Sequence, residues 1–126
     1  MEAVAIRARQ QINENAKMLC WHHAIPEMNH NELVGWRSKS DQLAVLIFRN
    51  SDDHPKNQRR IEISKTVIAK YTPHISEIYS KGNSLVERSM YFVHFGDWLS
   101  WYLSKLNGRD AIEIDVIDFL KSKLAE

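Results

Sequence analysis

Leu43-Ala44-Val45-Leu46-Ile47-Phe48 is the stretch of this 126-residue chain on which the fold turns. A half-solvated strand alternates polar and apolar residues, and this run has no polar residue at all. It reads as a central strand covered on both faces, the kind found in parallel sheets with helices above and below. The polar loop Arg49-Asn50-Ser51-Asp52-Asp53-His54-Pro55 follows, and its proline suits the first turn of a helix. From Lys56 to Tyr71, Ile63, Val67 and Tyr71 fall four apart with Ile61 and Ile68 alongside, which predicts an amphipathic helix. Ile75 to Ser80 is a second, weaker strand. Gly82-Asn83 turns the chain, and Ser84 with Glu87 forms a capping box for a long helix ending at Leu106, stopped by Asn107-Gly108. Its load of Tyr91, Phe92, Phe95, Trp98, Trp101 and Tyr102 predicts burial on more than one side. A last short helix runs from Ile112 to Ala125.

Upstream of the apolar run, Glu2 to Lys17 is polar-rich with Val4, Ala5, Ala8 and Ile12 at helical spacings. Met18 to Ala24 is a short extended candidate, and Pro26 then breaks the chain. Asn29 is placed to cap a short helix, with Glu32 three residues on in a capping-box arrangement. Helix, strand, helix, strand, helix, helix is an α/β order. Such a sheet ordinarily opens with a strand, whereas here a helix starts at residue 2. Two or three strands are also narrow for so much apolar helix surface, so the chain reads as the later part of a larger unit.

Composition narrows the function. Seventeen Lys and Arg against sixteen Asp and Glu leave a net charge of +1. That balance argues for neither a nucleic-acid nor a membrane surface, each of which calls for a lopsided basic face. One cysteine, Cys20, excludes an internal disulfide and fits a reducing cytosol. No run reaches the apolar length of a membrane span, and Met1-Glu2-Ala3 opens no signal peptide. A cytoplasmic protein is expected.

The chemistry gathers in Asn29-His30-Asn31-Glu32-Leu33-Val34-Gly35-Trp36. Two amides, an imidazole and a carboxylate run straight into apolar residues. A carboxylate beside apolar surface has its charged form disfavoured, which suits a general base. The bland alternative for Glu32 is a helix cap. His22-His23 and His30 near Glu32 invite a metal reading, but adjacent histidines in an extended segment point to opposite faces and no His-x-x-x-His is present. No metal is expected. Cys20 has no nucleophile context and reads as packed. His94 and Asp97, three apart on the long helix, read as a structural polar pair.

Asn13-Glu14-Asn15-Ala16-Lys17 and Ile25-Pro26-Glu27-Met28, continuing through Asn29 to Trp36, resemble bacterial and archaeal bifunctional phosphoglucose/phosphomannose isomerases. Asp53-His54-Pro55 with Arg59-Arg60, Gly96-Asp97-Trp98-Leu99-Ser100-Trp101-Tyr102-Leu103, and Ile117-Asp118-Phe119-Leu120-Lys121 also match. One such segment is weak evidence; together, and in the family's order, they are specific.

The family is built from two sugar isomerase (SIS) subdomains, each a three-layer αβα sandwich around a parallel sheet. The resemblance implies that residues 1–126 are the C-terminal SIS subdomain, incomplete at its N-terminus. Its opening strand and the whole N-terminal SIS domain, with its Ser/Thr-rich phosphate loops and an active-site arginine, are then missing. The implied reaction is aldose–ketose isomerisation of glucose 6-phosphate and mannose 6-phosphate to fructose 6-phosphate through an enediolate, without cofactor.

Glu32 aligns with the family's catalytic glutamate, which moves the proton. His54 aligns with a ring-opening histidine that acts in the neighbouring subunit's site, which implies a homodimer. Lys121 matches a lysine near the C-terminus that acts at the ring oxygen, with Lys123 close by as the other candidate. Asn29, His30 and Asn31 orient the glutamate or line the sugar site. Without the phosphate clamp, the separate polypeptide is expected to be inactive. The competing reading is a SIS-type module that binds a sugar phosphate for regulation without chemistry.

Overall fold

A computed structural model describes all 126 residues. Helix α1 spans Glu2–Ala16, β1 Ala44–Arg49, α2 Pro55–Ile68, β2 His74–Tyr79, α3 Leu85–Leu106 and α4 Asp115–Leu124. Two 3-10 turns, Glu27–His30 and Glu32–Gly35, precede β1. The strands pair in parallel, in register from Ala44 opposite His74 to Arg49 opposite Tyr79.

Alternation along β1 assigns one helix to each face of the sheet. Phe48 stacks on Phe92 of α3 at a centroid separation of 4.7 Å and meets Phe95 edge-on at 6.3 Å. Arg49 points the other way, toward α2. There Arg49 lies 2.5 Å from both Glu62 and Glu77, while Lys65 lies 3.1 Å from Glu62 and 2.5 Å from Glu77. Each oxygen of Glu77 thus holds one cation. Hydrogen bonds from Arg49 and then Lys65 hold the Glu62 carboxyl below the usual carboxylate range. Helix, sheet and helix form the three layers.

Against α3 lies α1. The contacting face of α3 carries Arg88, Phe92, Gly96, Ser100 and Ser104, buried at every fourth position, and α1 offers Val4, Ala8 and Ala16. Small residues let the backbones approach, and ridges at i±4 pack into grooves. Asn15 donates to Ser100 Oγ at 2.9 Å, and Asn107 donates to the Ala16 carbonyl at 3.1 Å. Asp97 receives Arg7 at 3.1 Å and also Gln11. The expected pairing of His94 with Asp97 is not formed. Asp97 faces α1, while His94 accepts a hydrogen bond from Trp98 Nε1 at 3.1 Å on the outer side.

The capping box at α3 forms as the sequence predicts. Ser84 Oγ accepts from the Glu87 amide at 3.2 Å, and the Glu87 carboxylate accepts from the Ser84 amide at 2.9 Å and the Asn83 amide at 2.6 Å. Those two backbone donors lower the Glu87 pKa.

Three expectations are corrected. Met18 to Ala24 has no strand partner; instead the Asn13 amide pins Cys20 from both sides, donating to its carbonyl at 2.8 Å and accepting from its N–H at 3.3 Å. Strand β1 is not covered throughout: Ala44 and Leu46, on the same face as Phe48 by strand alternation, are exposed, so that face is covered only toward its carboxyl end. Helix α3 is buried on one side only, and Trp98, Trp101 and Tyr102 remain exposed opposite its α1 face. No helix is long and apolar enough to cross a membrane.

A Cβ added at Gly96 would sit 3.5 Å from both Ala8 Cβ and Gln11 Oε1, ordinary contact distance. Gly96→Ala should therefore fold with no loss and gain up to about 1 kcal/mol of helix propensity. Gly96→Leu should push α1 away and cost about 1–3 kcal/mol. Urea denaturation of both variants checks this, and equal destabilisation by Ala and Leu would contradict the packing described.

Candidate functional site

The carboxyl ends of the two strands carry a loop built from hydrogen bonds. Asn50, buried at the end of β1, accepts from Ser80 Oγ at 3.3 Å through its side chain, and its amide donates to Asp53 at 3.3 Å. Buried Arg88 reaches across to the Asp52 carboxylate and to the Gly82 carbonyl at 3.4 Å. Gln58 of α2 donates to the Asp53 carbonyl at 2.9 Å. The loop is thereby fixed to β2, α2 and α3 together, and it delivers His54 to the start of α2.

His54 is exposed and serves as the N-cap of α2, its Nδ1 accepting the Lys56 amide at 3.1 Å. That bond fixes the tautomer: a neutral ring carries its proton on Nε2, which faces away from the helix. The position is the one the sequence predicts, beyond the carboxyl end of the apolar strand where open α/β sheets take ligands.

Within the octapeptide the capping expectation is corrected. Asn31, not Asn29, caps the second 3-10 turn, accepting the Glu32 amide at 2.5 Å while donating to Glu27 at 3.2 Å. Glu32 itself opens that turn, so the residue immediately before it must be the cap. The amide of Asn29 is left free to donate to Ser64 Oγ on α2 at 2.8 Å, and its own Oδ1 is buried without a partner. His30 and Asn31 are exposed beside it.

Glu32 is half-buried and forms no ion pair with any Lys or Arg. Its Oε2 lies 3.0 Å from His23 Nε2. His22, the neighbour of His23, instead turns its Nδ1 inward, so the adjacent imidazoles do diverge. No three His, Cys, Asp or Glu side chains converge. Burial pushes the Cys20 thiol up against the opposing charge of Arg9, which keeps it protonated.

The three expected catalytic residues stand on separate elements. The octapeptide docks on α2 at Ser64, ten residues from the His54 cap, about 15 Å along the helix axis. Lys121 stands exposed on α4, 3.8 Å from Asp118, and Lys123 lies 2.5 Å from Glu126. Helix α4 is tethered to the end of α1, where Lys17 donates to the Glu113 carbonyl at 2.6 Å. A cleft lined by Lys39, Ser40, Asp41, Lys70 and Tyr71 opens at the opposite, amino-terminal edge of the sheet. Two partners escape a reading of the sequence, Ser64 for Asn29 and His23 for Glu32. Neither has a local signal, because both contacts join separate segments.

A parallel sheet between helices, with a polar loop at its carboxyl edge and a carboxylate on a docked octapeptide, defines an α/β sandwich of the SIS type. The chain belongs to the bacterial phospho-glucose isomerase C-terminal SIS domain family, whose model matches residues 1–124. It is 36% identical over 128 residues to a bifunctional phosphoglucose/phosphomannose isomerase of Caldicellulosiruptor bescii, covering 99% of this chain and 38% of that protein. A protein of the same description from Aquifex aeolicus is 32% identical over 123 residues, covering 96% of this chain and 38% of the relative. The fold matches a glucose-6-phosphate isomerase like protein from Thermus thermophilus with a TM-score of 0.68 and 18% identity, over 88% of this chain and 36% of that one. The chain thus spans well under half the length of the relatives it matches.

Because Asn29 Oδ1 already lacks a partner, the bond from the Asn29 amide to Ser64 is the hydrogen bond its side chain makes to α2. Ser64→Ala should cost about 1–3 kcal/mol, the usual penalty for orphaning a buried polar group. Urea denaturation checks this; a loss within error of zero would show that the octapeptide is held otherwise.

Proposed function

We propose that this chain acts as the carboxy-terminal SIS subdomain of a cytoplasmic isomerase that interconverts glucose 6-phosphate or mannose 6-phosphate with fructose 6-phosphate. The observation that carries the reading is the state of Glu32. It sits in the family's segment, half-buried, with no Lys or Arg paired to it.

In the reaction Glu32 removes the proton from C2 of the opened aldose and returns it to C1, through an enediolate. His54 serves ring opening: with Nδ1 engaged by the Lys56 amide, its Nε2–H is the group offered to the ring oxygen. Lys121 supplies an ammonium to the ring oxygen or to the developing negative charge. Asn29, His30 and Asn31 line the sugar site.

His54 acts in the site of the partner subunit in a homodimer. The separation of about 15 Å between the His54 cap and the Ser64 anchor supports that arrangement. The phosphate clamp belongs to an amino-terminal SIS domain. Exposed Trp98, Trp101 and Tyr102 on α3, with Val116, Phe119 and Leu120 on α4, supply apolar surface for that domain or the second subunit to cover.

In the intact isomerase, Glu32→Gln should lower turnover by about 10²–10⁴-fold, the range for losing a general base, with sugar-phosphate binding retained. The 126-residue chain alone should not turn over glucose 6-phosphate. Coupled assays and calorimetry check both; full turnover by Glu32→Gln would remove Glu32 from the base role, and full turnover by the isolated chain would remove the need for the clamp.

A further inference from the structure

The contact between His23 Nε2 and Glu32 Oε2, at 3.0 Å, touches the proposed base itself and has no part in the proposed reaction. It joins two stretches of backbone that are anchored independently. His23 lies between Cys20, pinned to α1 by Asn13, and Ala24, whose carbonyl accepts the Met28 amide at 2.9 Å. Glu32 is held from its other side by the Asn31 cap and, through Asn29, by α2. The geometry of the pair is therefore set by the fold and not by two free side chains finding each other.

We infer that His23 is a positioning residue for Glu32. Its Nε2 lies against one carboxylate oxygen, Oε2, and so limits how the carboxylate turns, leaving Oε1 for the carbon-bound proton. This rests on the reading of Glu32 as the base. The choice of imidazole has a chemical reason. A Lys or Arg at the same place would orient the carboxylate equally well but would also favour its charged form and weaken it as a base. An imidazole placed against the carboxylate restricts its direction without a permanent positive charge. Orientation matters because a misplacement of about 1 Å at a reacting group can cost about 10²-fold in rate. In this role His23 acts on the carboxylate and not on the sugar, so its loss should be felt in turnover and not in binding.

The test is steady-state kinetics on the intact isomerase carrying this segment, comparing wild type, His23→Ala, His23→Gln and Glu32→Gln. Gln retains an N–H donor of similar reach. His23→Ala should lower kcat by about tenfold or more with KM changed less than about twofold. His23→Gln should restore kcat to within about threefold of wild type. Retained turnover in Glu32→Gln, or no isomerase activity in wild type, would overturn the reading of Glu32 and His23's role with it. An inactive Glu32→Gln beside a His23→Ala of unchanged kcat would overturn the positioning inference alone. So would a His23→Ala effect confined to KM, or a kcat loss that Gln does not recover. Melting curves for the His23 variants confirm that both remain folded.

Discussion

The close approach of α1 and α3 is the constraint from which the other placements follow. Ala8 lies against Gly96, and Ala16, Ser100 and Ser104 are fully buried, so the two backbones are held at a distance that larger side chains would forbid. From that seam α3 sends Phe92 onto Phe48 and so fixes the sheet. From the same seam the end of α1 organises its surroundings through closely spaced polar residues. Asn13 holds the chain at Cys20, Asn15 bonds Ser100, and Lys17, in a left-handed conformation at φ 54°, reaches the Glu113 carbonyl before α4. The segment Asn13 to Lys17 thus wires one helix to the loop that carries His23, to α3 and to α4.

Helix α2 plays the complementary part. Its amino terminus is capped by His54, and its far half receives the octapeptide at Ser64. One rigid element therefore carries a histidine at one end and receives the glutamate-bearing octapeptide ten residues further along. The paired ions around Arg49 and Glu77 hold α2 to the sheet and keep that spacing fixed.

Local chemistry is legible where neighbours in sequence are neighbours in space. Ser84 and Glu87 mark the start of α3, Asn107-Gly108 its end, and Leu43 to Phe48 both the strand and its parallel pairing. The misreadings share one cause. The apolar run and the aromatic residues of α3 say which surfaces require cover, not that this chain provides it, so Leu46 and Trp98 are exposed against expectation. Asn29 reads as a cap because Glu32 follows at the right interval, while its true partner, Ser64, is 35 residues away. Helical spacing joins His94 to Asp97, although tertiary packing turns Asp97 to α1. The residues Glu32, His54 and Lys121 stand out in the sequence; His23 stands out only as one of a histidine pair, and its contact with Glu32 does not.

Whether two copies share a site, one giving Glu32 and the other His54, decides between a half-site donor and a self-contained unit. Mixing inactive Glu32→Gln and His54→Ala forms of the intact isomerase, and allowing subunits to exchange, measures this. Half of the randomly assorted dimers are mixed and contain one undamaged site of two, so activity should recover to about a quarter of wild type. No recovery, with subunit exchange demonstrated, would mean that Glu32 and His54 do not meet across an interface.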